Sequence, residues 1–220
     1  MVIVSPPTLL ETADLSRPIP ENSRKLAHLV QIEERFVEVG EHNVFFREAR
    51  PPHYAKATLV LLHGQAYTSS CWLEHDTLAT FAALGYHCIA PVPQSEKPKW
   101  LLSFFNSLAV KQVMLVAASM SAQYMLPLLA KDVFSCVVGV ALSNTHEIGQ
   151  PSVYRTPILV LWGDRDTSLG PSSASNLRCL PHARLEKIND AGHACHLHNP
   201  LSFQELCVNF FELVRTYDSL

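Results

Sequence analysis

Short runs of apolar residues recur along this chain, and most are followed by a segment with helical spacing. The runs are ATLVLLHG (57–64), YHCIAPV (86–92), QVMLVAA (112–118), CVVGVALS (136–143) and TPILVLWG (156–163), with ARLEKIND (183–190) closing the series. Continuous apolar runs of this kind suit strands buried on both faces of a parallel sheet, where polar and apolar residues no longer alternate. Between them, residues 70–85 carry Trp72, Leu78, Phe81 and Ala82 at helical intervals and stop at Gly85, a helix-ending residue. PKWLLSFFNSLAV (98–110), SAQYMLPLLA (121–130, interrupted by Pro127), SSASNLRCLP (172–181) and the amphipathic PLSFQELCVNFFELVRTY (200–217) supply the other helices. Strands alternating with helices make right-handed βαβ units, so an α/β fold is predicted: a mostly parallel sheet with helices on both faces. Ahead of the series, RFVEVGEHNVFFREA (35–49) reads as a hairpin around Gly40. Residues 1–34 mix prolines, charges and brief apolar pieces and read as a poorly ordered leader, which leaves 35–220 as one domain.

With 220 residues the chain can bury a substantial core. Its net charge of −3 gives no electrostatic case for nucleic acid or an anionic membrane surface. No apolar run approaches the ~18 residues of a membrane span, and the opening MVIVSPPTLL lacks the basic start and unbroken apolar stretch of a signal peptide. A cytoplasmic location is the expectation. The six cysteines are spread singly, several of them inside apolar runs. They read as reduced thiols packing as small hydrophobes rather than as a disulfide framework.

In open α/β sheets ligands bind beyond the carboxyl ends of the strands, so the residues just past each run are where chemistry is sought. The first run ends in His63-Gly64, where a glycine turn would aim the N–H of Gln65 into the space above the sheet. The third ends in AASMS (117–121). A serine between strand and helix can be a simple N-cap, or a nucleophile elbow that presents its hydroxyl above the sheet. An elbow needs small residues two before and two after the serine; Ser119 has Ala117 and Ser121, whereas Ser121 would have the bulky Gln123. The N–H of Met120 would then sit at a helix start, where a developing oxyanion is favoured. The run 156–163 leads into LWGDRD, with Asp164 directly after the glycine and Asp166 further out. An aspartate there can orient a histidine, or it can be the charge of a solvated turn. NDAGHACHLHNP (189–200) then places His193 in a loop before the last helix. A rival grouping of His193, Cys195, His196 and His198 could hold a metal, but alternate residues on a short loop rarely converge, so no metal is expected and His196 and His198 read as supporting residues.

Ser119, Asp166 and His193 follow the chain order nucleophile, acid, histidine of α/β-hydrolases, each at a strand end. That order favours the elbow. The chain also resembles the α/β-hydrolase domain-containing protein 14 family from about residue 43 to the C-terminus, most clearly in FFREA, VLLHG, LPLLA, LWGDRD and AGHACHLH. In that family the serine lies in a small-x-S-x-S turn, which AASMS matches. The resemblance implies an α/β-hydrolase fold, with Ser119 as nucleophile, Asp166 as acid and His193 as base. It also implies hydrolysis of small acyl esters and, by extension, acyl transfer from acylated lysine. One branch of the family carries an N-terminal membrane anchor, for which this sequence shows no counterpart. Where the family has a D-x-P-G-x-G-x-S loop and a longer helix, this chain has the shorter PVPQSEKPKWLLSFFNSLAV (91–110), which implies a more open site.

The sequence therefore predicts a serine hydrolase of small acyl substrates working through Ser119, His193 and Asp166, with the N–H groups of Gln65 and Met120 as the oxyanion hole. It calls for no metal or organic cofactor. The short connection at 144–156, where lids are usually inserted, predicts no sizeable lid and short acyl groups. The competing expectation, from the shortened segment after Ala90, is a catalytically weak interaction protein that keeps the fold and binds a protein partner.

Overall fold

A computed structural model describes residues 8–94 and 97–217. Its centre is an eight-stranded sheet. β1 (Ile32–Val39) and β2 (His42–Ala49) form the expected hairpin, turned at Gly40 with a φ of +61°, a left-handed angle that glycine adopts freely. β3 (Ala57–Leu62), β4 (Tyr86–Pro91), β5 (Val113–Ala118), β6 (Phe134–Val140), β7 (Ile158–Gly163) and β8 (Ala183–Ile188) follow. Their spatial order is β1-β2-β4-β3-β5-β6-β7-β8, antiparallel only at the β1/β2 and β2/β4 pairs. The chain passes from β4 over β3 to β5, so β3 and β5 are neighbours, with Leu62 opposite Ala117. Their carboxyl ends flank the point where strand order reverses, the place where sheets of this class open a crevice.

The inner strands β3 to β7 are buried on both faces, as their apolar runs require. Leu59 and Leu61 of β3 face one core, while Val60 and Leu62 face the other. The first core is covered by a helix at Thr77–Ala83 and by a long C-terminal helix (Pro200–Thr216) through Phe81, Phe203, Phe210 and Phe211. The second is covered by a helix at Lys97–Ser107 carrying Trp100 and Phe104, by a short turn at Ala122–Met125, and by Leu177 of the Leu169–Leu177 helix. The six cysteines are free thiols, all buried except Cys179. No helix among the described residues is long and apolar enough to cross a membrane.

Two local expectations are corrected. The predicted leader is packed rather than loose across residues 9–27, which form the helices Leu9–Thr12 and Glu21–Ala27. Leu10, Leu15 and Ile19 join the first core, and Asn209 on the C-terminal helix donates to the carbonyls of Leu15 and Arg17 at 3.0 and 2.8 Å. Brief apolar pieces suffice because each is buried in a core built by residues far away in sequence; residues 1–7 lie outside the described range. The helix expected at 70–85 is broken into two 3₁₀ turns and the helix Thr77–Ala83, since His75 and Asp76 take left-handed angles. Gln204 holds that break by donating to His75 O and Thr77 Oγ1, both at 3.0 Å. After Ser119, Pro127 removes a helical N–H, and the chain continues as a 3₁₀ turn at Leu126–Leu128.

The packed N-terminal segment predicts a measurable cost. Leu15→Ala should lower unfolding free energy by about 2–5 kcal/mol in urea titrations, the usual penalty for emptying a buried leucine site. A change under about 0.5 kcal/mol, the surface range, would show that this segment does not pack.

Candidate active site

At the end of β5 the backbone reverses at one residue. Ser119 has a φ of +52°, in the left-handed region where a Cβ crowds its own carbonyl. The chain then enters a 3₁₀ turn at Ser119–Ser121. Neighbouring strand ends hold this strained residue. The Ser143 N–H donates to Ser119 O at 3.1 Å, and Ser121 Oγ, buried, donates to His63 O at the end of β3. Ala117 and Ser121 are both fully packed, which explains the small residues on either side of the serine. Gly64 lies against the turn: a methyl group there would rest 3.4 Å from Ser119 Cβ. Gly64 does not take a left-handed angle, so the turn after β3 does not depend on glycine's conformational freedom, contrary to the sequence-based expectation.

The other two side chains come from the ends of β7 and β8. His193 Nε2 lies 3.0 Å from Ser119 Oγ, and its Nδ1 lies 2.9 Å from Asp166 Oδ2. Asp166 is 6% exposed, and it accepts further hydrogen bonds from Ser168 N at 3.0 Å, Ser168 Oγ at 3.1 Å and Gly170 N at 3.0 Å. Burial pushes its pKa up, but the hydrogen bonds from His193 and Ser168 outweigh that and hold the carboxyl below its ordinary value. Asp164 is exposed and accepts from the Ala191 N–H at 3.1 Å, a turn-shaping role. The β7 end and the loop bearing His193 touch at Gly163, where an added Cβ would fall 2.1 Å from Ala191 O. Only glycine permits that approach, and the approach brings His193 over Asp166.

A cleft of about 230 Å³ opens beside these groups, lined by Gly64, Gln65, Tyr67, Ser119, His193 and His196 together with small apolar residues. Among the described residues, the N–H groups of Gln65 and Met120 have no hydrogen-bond partner in the chain. The connection from β6 to β7 contains only two 3₁₀ turns, Thr145–Glu147 and Pro151–Val153, so no large lid covers the cleft. After Ala90, Val92 pairs with Phe45 O and Gln94 O accepts from Tyr124 Oη at 2.7 Å; residues 95 and 96 lie outside the described range. A larger cavity of about 650 Å³ lies at the opposite ends of the strands, beside Met114, Phe134 and Arg155, and contains none of these side chains.

The rival metal grouping does not come together. His193 faces Ser119, and His198 Nδ1 accepts from the Gly192 N–H at 2.9 Å. Cys195 is buried, its thiol pushed up to about 12 by burial. His196 is caged by Tyr67, Trp72 and Phe203, with ring centroids 6.3, 5.1 and 5.8 Å away. No group of three metal-binding side chains occurs among the described residues. Tyr67 and the buried face of His196 are the cleft residues that sequence reasoning missed. The HGQAY and HACH spacings place them one short step from the candidate residues but do not show that they meet.

No family model matches the chain. ABHD14A from Danio rerio is 35% identical over 196 residues, covering 78% of this chain and 72% of that protein. The chain belongs to the ABHD14 family. Within the family, ABHD14A from Mus musculus is 32% identical over 192 residues, covering 79% of this chain and 78% of that protein. ABHD14B from Rattus norvegicus, whose name makes it a candidate protein-lysine deacylase, is 28% identical over 205 residues, covering 83% and 97%. The ABHD14 chain also shares its fold with a predicted CIB-like hydrolase from Thermoplasma acidophilum, at a TM-score of 0.74 and 21% identity over 86% of this chain and all of the other. Carboxylesterase CesB from Bacillus subtilis superposes at 0.64 and 14% identity, covering 91% and 96%.

The cage around His196 has a pH consequence. Burial pushes its pKa down from 6.5 to about 4, with His193 and His198 adding to the shift. Below about 6.5 the unfolded chain takes up a proton that the folded chain refuses, so this contribution to stability is complete above 6.5 and is lost as pH falls towards about 4. His196→Phe should therefore flatten the fall in melting temperature across that window. Identical slopes in both proteins would show that His196 is not held neutral.

Proposed function

We propose that this ABHD14-family chain is a serine hydrolase of small acyl groups. The observation that carries the reading is the continuous line Ser119 Oγ to His193 to Asp166, at 3.0 and 2.9 Å, beside an open cleft. Ser119 Oγ attacks the acyl carbon while His193 Nε2 takes its proton and then returns it to the leaving group. Asp166 keeps the other imidazole proton on Nδ1 and stabilises the imidazolium that forms. The free N–H groups of Gln65 and Met120 receive the oxyanion. Water then repeats the sequence on the acyl-enzyme and regenerates Ser119.

The substrate class follows from shape. A cleft of about 230 Å³ lies below the range of ~300–1,000 Å³ usual for pockets that enclose drug-sized ligands, which favours acetyl to butyryl groups over long chains. Its lidless mouth leaves room for a bulky leaving group. An acylated lysine on a protein surface fits that description, in keeping with the name of the rat relative ABHD14B.

The two aspartates provide the test. On a short-chain ester, Asp166→Asn should lower kcat by on the order of 10⁴, as loss of the correct imidazole tautomer does. Asp164→Asn should stay within several-fold of the unmodified protein. A folded Asp164→Asn protein that loses as much activity as Asp166→Asn would refute the assignment.

A further inference from the structure

One wall of the candidate cleft is polar in an unusual way. His196 lines it, is 3% exposed, and has no hydrogen-bond partner at either ring nitrogen. Nε1 of Trp72, the nearest ring of its cage, is also buried and unpartnered. Buried polar atoms are nearly always paired, and each exception calls for an explanation. A phenyl ring would pack into the same aromatic cage without leaving nitrogens unsatisfied. Ala66, Ala118, Val140 and Ala194, which also line the cleft, are apolar and offer His196 no side-chain partner.

We propose that His196 forms a subsite for a hydroxyl group on the acyl chain, so that hydroxyacyl groups are the preferred substrates of the Ser119 site. This deepens the serine-hydrolase reading and rests on it. A hydroxyl is both donor and acceptor, and so matches a neutral imidazole, which offers one of each. Tyr67 is half-buried and stands edge-on to His196. The subsite requires the Tyr67 ring to turn aside, so that a nitrogen of His196 meets the cleft that His196 already lines. Burial keeps His196 neutral near pH 7, and no lysine or arginine lines the cleft. A carboxylate at the same place on the acyl chain therefore finds no cation, and dicarboxylic acyl groups are disfavoured.

The test compares para-nitrophenyl esters of butyrate, β-hydroxybutyrate and succinate, each rate divided by its hydroxide-catalysed rate. The hydroxybutyryl ester should show kcat/KM on the order of tenfold above butyryl, the value of about one added hydrogen bond, with the succinyl ester below both. In His196→Phe the hydroxybutyryl-to-butyryl ratio should fall to about one. Turnover of butyrate with no hydroxybutyryl preference in the unmodified protein overturns the subsite and leaves the hydrolase reading standing. If neither ester is turned over, the hydrolase reading fails, and binding decides the subsite. The imidazole nitrogen shifts of His196 should then move with β-hydroxybutyramide and not with butyramide. Equal response to the two amides, or none, overturns the proposal and assigns the unpaired nitrogens to ordered water only.

Discussion

Ser119 is held at a φ of +52°, an angle that an L-residue occupies only under constraint. That constraint comes from three directions: β5 delivers the chain fully buried, β3 accepts Ser121 Oγ at His63 O, and Ser143 beyond β6 donates to Ser119 O. Parallel pairing of β3, β5 and β6 puts all three anchors at the same edge of the sheet. The hydroxyl is therefore aimed by the sheet itself, before histidine or aspartate contributes. Any variant that loosens these anchors should let the serine relax to an ordinary helical start, where it would be only a cap.

The second requirement is electrostatic. A buried carboxylate is costly unless its oxygens are satisfied, and Asp166 has donors on both: Ser168 at one, Gly170 and His193 at the other. Its environment therefore fixes both the charge on Asp166 and the orientation of His193. The contact of Gly163 with Ala191 sets the distance between the two loops, so the site depends on backbone packing as much as on its polar side chains.

Much of this was legible in the sequence, for identifiable reasons. The apolar runs 57–64, 112–118 and 156–163 report burial on two faces directly, and strands with that burial have few alternatives to a parallel sheet. The small residues at 117 and 121 singled out Ser119 because sterics at a sharp turn act locally. What escaped detection depends on partners remote in sequence. Leu10, Leu15 and Ile19 carry no periodic signal; they are buried in a core built by distant residues, and Asn209, some 190 residues later, holds the carbonyls of Leu15 and Arg17. The break at His75 is set by Gln204, and the cage of Tyr67, Trp72, His196 and Phe203 joins two stretches far apart in sequence. No spacing rule links such residues. The proline at 127 was read correctly as an interruption because its effect on the backbone is local.

The fold is shared with solved hydrolases, but a fold alone carries many functions, and the case for chemistry rests on one hydroxyl being both nucleophilic and exposed to a reagent. The most direct measurement is therefore covalent. The intact chain would be treated with a fluorophosphonate and the modified peptide located by mass spectrometry. The account predicts one phosphonyl adduct, on Ser119, absent in Ser119→Ala and retained in Ser121→Ala. A folded protein that acquires no adduct at Ser119 would contradict it.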